Sequence, residues 1–197
     1  MKNIISPAVI ALSLALGAQA TTASPSSEAF EDFQTHCAAP IANGAPLTMD
    51  GLQAIPAREN RRVLAALGVA ASEADQFRIW RTSSSKYLLI TWAQHDVFCQ
   101  MVGVGVDLAE MRPAFLEWQE IHAKDYTADS AFELASHGPP SHVRTSAGVF
   151  MARPTDDGGV LQISVQYHPD VLNGFASILL IRLPGMTPAA LEVLQEK

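Results

Sequence analysis

Residues 77–106 read "FRIWRTSSSKYLLITWAQHDVFCQMVGVGV". Three apolar, β-branched and aromatic runs are separated by polar turn clusters, "SSSK" and "QHD". That spacing predicts three consecutive strands, 77–82, 87–93 and 97–106, the first two as a hairpin. A helical period follows at once in "DLAEMRPAFLEWQEIHA" (107–123), where Leu108, Met111, Phe115, Trp118 and Ile121–His122 recur on one stripe. Asp107 and Glu110 stand at capping-box spacing. Pro113 fits the interior badly, so either the first turn is irregular or the helix starts near Arg112. A loop to about residue 141 is expected next.

The last third runs through the same kinds of element. "VRTSAGVFMA" (143–152), "VLQISVQYH" (160–168) and "FASILLIRL" (175–183) read as strands, and "TPAALEVLQEK" (187–197) as a closing helix with Thr187 as N-cap and Pro188 at its first position. In the second of these, Leu161, Ile163, Val165 and Tyr167 alternate with Gln162, Ser164 and Gln166, the pattern of a strand with one face on a core. The order strand, strand, strand, helix therefore occurs twice. Six strands in one or two antiparallel sheets, with N-terminal helices packed on them, predict an α+β domain over residues 28–197.

Upstream, "SSEAFEDFQTHC" (26–37) predicts a short helix with Ser27 as cap and Phe30, Phe33 and Cys37 on its buried stripe. "APIANGAPL" (39–47) is expected to break it. Residues 56–67 read as a second helix, with Pro56 in the first turn, Val63, Leu64 and Leu67 inward, Arg58, Arg61 and Arg62 outward, and Gly68 just past its end.

The first twenty residues have the layout of a secretory signal. Lys2 supplies the charge, "IISPAVIALSLALG" the apolar core, and "AQA" a cleavage site ending at Ala20. Cleavage there predicts a periplasmic or secreted protein without stable membrane insertion, and "TTASPSS" (21–27) reads as a flexible leader. In an exported chain two cysteines, Cys37 and Cys99, predict one disulfide, closing a loop of about 62 residues. The formal charge is −7, and the scattered basic residues argue against broad nucleic-acid binding.

No chemistry-bearing motif survives its context. Gly103 and Gly105 sit where a dinucleotide loop would, but position 108 is Leu and a hairpin precedes them, so crowding by another chain segment is the better reading. "HPD" (168–170) follows a strand and opens a turn. Among His36, His95, His122, His137, His142 and His168, no pair has the helical spacing of a zinc protease. Asp156-Asp157-Gly158-Gly159 is hairpin-turn chemistry. The sequence nominates no catalytic, cofactor-binding or metal residues, and the residues it singles out are the disulfide pair Cys37 and Cys99.

The early Phe33-x-x-x-Cys37 helix, then Trp80, then Cys99 in "FCQMVGV" with a helix and further strands behind it, resembles small uncharacterised secreted proteins of Gram-negative bacteria. The resemblance touches about half of the mature chain. It implies export and one disulfide, and it transfers no catalytic residue. The leading expectation is a non-enzymatic module that binds a protein or peptide. The alternatives are a small periplasmic hydrolase, using His122 with Asp125 or His142 near His137, and an inhibitor or immunity-type protein.

Overall fold

The computed structural model describes residues 23–93, 97–128, 132–137 and 144–185, with only the backbone of His137 and Arg144. The six expected strands are present as β2 (Phe77–Arg81), β3 (Tyr87–Trp92), β4 (Phe98–Val104), β7 (Arg144–Pro154), β8 (Val160–His168) and β9 (Phe175–Leu183). Three short strands add to them: β1 (Gln53–Ala54), β5 (Thr127–Ala128) and β6 (Leu134–His137). The α+β class holds, but among the described residues the sheet has nine strands and is single. β5 and β6 occupy what reads in the sequence as loop, because pieces of two to four residues carry no alternation to detect.

The sheet runs β1-β2-β3-β4-β9-β8-β7-β5, with β6 also on β7, and every pairing is antiparallel. Two three-strand meanders, β2-β3-β4 and β7-β8-β9, meet where β4 pairs with β9. The repeat of element order is not established, since two short strands precede the second meander. The expected helix 187–197 lies outside the described residues. β9 is almost continuously apolar because it is central, and Ala176, Ile178 and Leu180 are fully buried.

Alternation sends side chains to two separate cores. On one face Leu89, Met101, Leu161, Ile163, Val165 and Ile178 meet the N-terminal helices and α4 (Leu108–His122). On the other, Ile79, Ile90 and Val102 pack against Leu64 of α3 (Ala57–Ala66). α3 matches its sequence reading: Pro56 precedes it, and Gly68 follows it at φ +83°. Its arginines are exposed, Arg61 pairing with Asp75 at 2.9 Å.

The first helix departs from expectation at both ends. α1 (Pro25–Phe33) is capped by Ser24, whose hydroxyl accepts from the Ser27 N–H at 3.1 Å. Pro25 takes the first helical position, where a missing N–H costs nothing. Residues 24–27 are therefore cap and first turn rather than leader. The helical run continues through Pro40, because the turn Gln34–Ala38 is widened to i→i−5 bonding and is followed by α2 (Ala39–Ala42). Asn43 and Gly44 end it, Gly44 at φ +63°.

α4 likewise starts at Leu108 and runs straight through Pro113. Pro113 leaves the carbonyl of Ala109 without its helical donor, and both residues are solvent-exposed, so water can replace the bond. The two glycines ahead of α4 serve different ends. A Cβ on Gly103 would lie 2.6 Å from the Tyr87 ring and from Val106, the expected crowding. Gly105 has open space but φ +67°, so there the turn itself requires glycine.

Cys37 and Cys99 form the expected disulfide, both fully buried, with Cα atoms 5.8 Å apart. It links the widened turn behind α1 to β4. For a 62-residue separation the chain-entropy model gives on the order of 4 kcal/mol. The non-reduced protein should show one Cys37–Cys99-linked peptide in mass spectrometry. A Cys37→Ala/Cys99→Ala variant should lose about 2–4 kcal/mol in urea unfolding; an unchanged midpoint would contradict an anchoring role.

Candidate functional site

α1 and α4 lie side by side on the sheet, and what holds them there is legible atom by atom. Phe30 and Phe33 of α1 and Phe115 and Trp118 of α4 form one aromatic cluster, with centroids 5.7–6.4 Å apart. Trp118 Nε1–H donates to Gln34 Oε1 at 3.0 Å, so the indole is both packed and satisfied.

The first turn of α1 rests on a polar network beneath the cluster. Glu110 Oε1 accepts from the backbone N–H of Ser26 at 3.1 Å and from its Oγ at 3.0 Å. Ser26 has a single hydroxyl proton, spent on that carboxylate, so in the 2.8 Å contact Tyr87 O–H is the donor to Ser26 Oγ. Lys86 Nζ closes the network on Glu110 Oε2 at 3.0 Å. Glu110 thus satisfies an orphan N–H of α1 and places its charge at that helix's positive end. This explains why the expected capping box of α4 is only half made: Asp107 caps Ala109 at 2.9 Å, while Glu110 turns to the neighbouring helix.

Partial burial raises the Glu110 carboxyl, but the Lys86 bond and the two Ser26 bonds together outweigh it and hold it below the ordinary value. Burial pushes the Tyr87 hydroxyl up to about 12, against the lowering effect of its Ser26 bond, so it stays a neutral donor. Further along α1, Asp32 accepts from the Ser83 N–H at 2.6 Å.

Beside this fixed helix pair runs a cleft of about 440 Å³. Phe30, Ala114, Trp118 and Ile121 give it apolar lining, the exposed Glu31 and Glu117 border it, and Ala23, Ser24, Ser27 and His122 complete the lining. Ile121 reads in the sequence as core, but it is 60% exposed. It sits on the flank of α4 shared with Ala114 and Glu117, past the edge of the covered stripe. Its volume falls in the range of about 300–1,000 Å³ typical of ligand sites.

Among the described residues, those considered for chemistry do not converge. His122 lies beside Trp118, ring centroids 6.2 Å apart, on the cleft lining, and the described contacts do not join it to Asp125. His36 Nδ1 is 2.7 Å from Thr48 O, and His168 stacks on Phe175. His95, Asp96 and His142 lie outside the described residues, as does the side chain of His137. Among the described residues no group of three His, Cys, Asp or Glu is placed to hold a metal ion. Asp157, in the β7–β8 turn, accepts from Thr155 and from Arg182, the latter at 2.7 Å, and both bonds lower its carboxyl below the ordinary value.

The sequence gives the stripe of α4 and the aromatic face of α1, but not that the two lie adjacent. Glu31, Ala114 and Glu117 have no local signature. The one available signal is Ile121, the last large apolar residue before α4 ends at His122.

Comparison with models of known protein families finds no match, and no curated protein matches the chain. A pH measurement tests the network beneath the cleft. A carboxyl lowered on folding stabilises the protein above its unfolded value of about 4.3 and loses that contribution as pH falls through the folded value. Glu110→Gln should therefore lower Tm at pH 7, and the gap to the unsubstituted protein should close below about pH 4. A gap independent of pH would show that the Glu110 charge is not what matters.

Proposed function

We propose that this protein is an exported binding module that holds a peptide or an extended protein segment in the α1–α4 cleft. The observation that carries this reading is a concave, partly apolar surface between two helices fixed by a disulfide, an aromatic cluster and a partly buried polar network. Pre-organised walls reduce the ordering cost of binding. Exposed Ile121 at the mouth supplies apolar surface for a ligand to cover.

Export fits the cysteines, which persist as a disulfide in an oxidising compartment. Among the described residues no helix is long and apolar enough to cross a membrane. We place the mature protein in the periplasm or outside the cell, released by cleavage after Ala20.

The test is selection of a random peptide library on the immobilised mature chain, residues 21–197, followed by calorimetry of the enriched peptides. Covering an aliphatic side chain contributes about 1.5–3 kcal/mol. Ile121→Asp should therefore weaken binding by about tenfold or more, and Leu172→Asp, another exposed apolar position away from the cleft, should change nothing. Peptides that bind Ile121→Asp undiminished would place the site elsewhere. Turnover of ester or peptide substrates lost in His122→Ala would favour a hydrolase.

A further inference from the structure

The rim of the cleft says more about its ligand than the floor does. Glu31 and Glu117 are both exposed, one from each helix, and the structure gives neither an ion pair among the described residues. Among the described lining residues there is no Lys or Arg, while exposed Ile121 and the edge of Trp118 add apolar surface to the same lining. A long basic side chain matches that combination, because its methylene stem covers apolar surface while its head reaches the carboxylates.

We infer that the α1–α4 cleft selects peptide segments in which a Lys or Arg adjoins a bulky aliphatic residue. The inference rests on the cleft being the binding site, and it adds the chemistry of the partner. Recognition divides between the two parts: Ile121 and Trp118 hold the aliphatic residue, and Glu31 and Glu117 orient the cation. An acidic segment carries the same sign of charge as Glu31 and Glu117 and would be repelled, so selectivity comes from exclusion as well as attraction.

Three N-acetylated, C-amidated peptides of one length test this by isothermal titration calorimetry against the mature chain: GLKLKG, GLQLQG and GLELEG. GLKLKG should bind about five- to tenfold tighter than GLQLQG, as two exposed ion pairs allow, with GLELEG weakest. The ratio should shrink toward one at ~0.5 M salt. In Glu31→Gln/Glu117→Gln the preference should vanish while GLQLQG binding persists. Both positions are exposed, and circular dichroism will confirm that the variant is folded. Equal binding of all three peptides, with Ile121→Asp still weakening them, would overturn the charge selectivity and leave the cleft as the site. Peptides that bind with the predicted ranking but retain it in the double variant would overturn the assignment to Glu31 and Glu117. No binding by any of the three would overturn both.

Discussion

The Cys37–Cys99 bond is placed where the fold has most to gain from it. β4 is the strand on which the two meanders join, and Cys99 sits opposite Leu180 of β9 within that join. The helical run that ends at Asn43 has few long-range backbone hydrogen bonds to the sheet, so side chains must hold it. A covalent tie at its rear, an Asp32–Ser83 contact at mid-length and the Glu110 carboxylate at its front fix three points along it. Three points on a short helix leave little freedom to slide or tilt.

That fixing has a consequence for α4. The aromatic cluster packs α1 against α4 with Trp118 at the centre, touching Phe30, Phe33 and Phe115. Because α1 cannot move away, the space beside Trp118 keeps its shape. The polar network contributes register rather than much net energy. A partly buried ion pair roughly balances its own desolvation, whereas removing one partner strands the other. Glu110 with Ser26, Lys86 and Tyr87 is satisfied throughout, the condition under which such a network specifies one arrangement.

Much of this was legible in the sequence, and the pattern of what was not is physical. Strands of five or more residues announce themselves through alternation, as β8 does in Leu161, Ile163 and Val165. Edge strands such as β1 and β5 do not, since their existence depends on a neighbour already in place. Helix breakers misled twice. Pro40 and Pro113 both lie within helical runs, one behind a widened turn and one where solvent can satisfy the freed carbonyl. The disulfide was readable because two cysteines permit a single intramolecular pairing. Glu110 was readable as a cap but assigned to the wrong helix, because local spacing cannot show that a second N-terminus lies nearby. The cleft was invisible for the same reason, as its two walls are 84 residues apart at the Gln34–Trp118 contact.

Where a site's walls are fixed before a ligand arrives, the ligand alone pays for ordering, and modest contacts suffice. The cleft is too small to bury a standard protein–protein interface of about 1,600 Å² by itself. On the proposed reading, a partner bound there would present a segment rather than a face, with an anchoring side chain in the cleft and main chain left in solvent. Such recognition is weak per contact and tolerant of sequence outside the anchor. Specificity then falls on the few groups that discriminate by sign of charge, which is what two carboxylates beside an apolar wall can do.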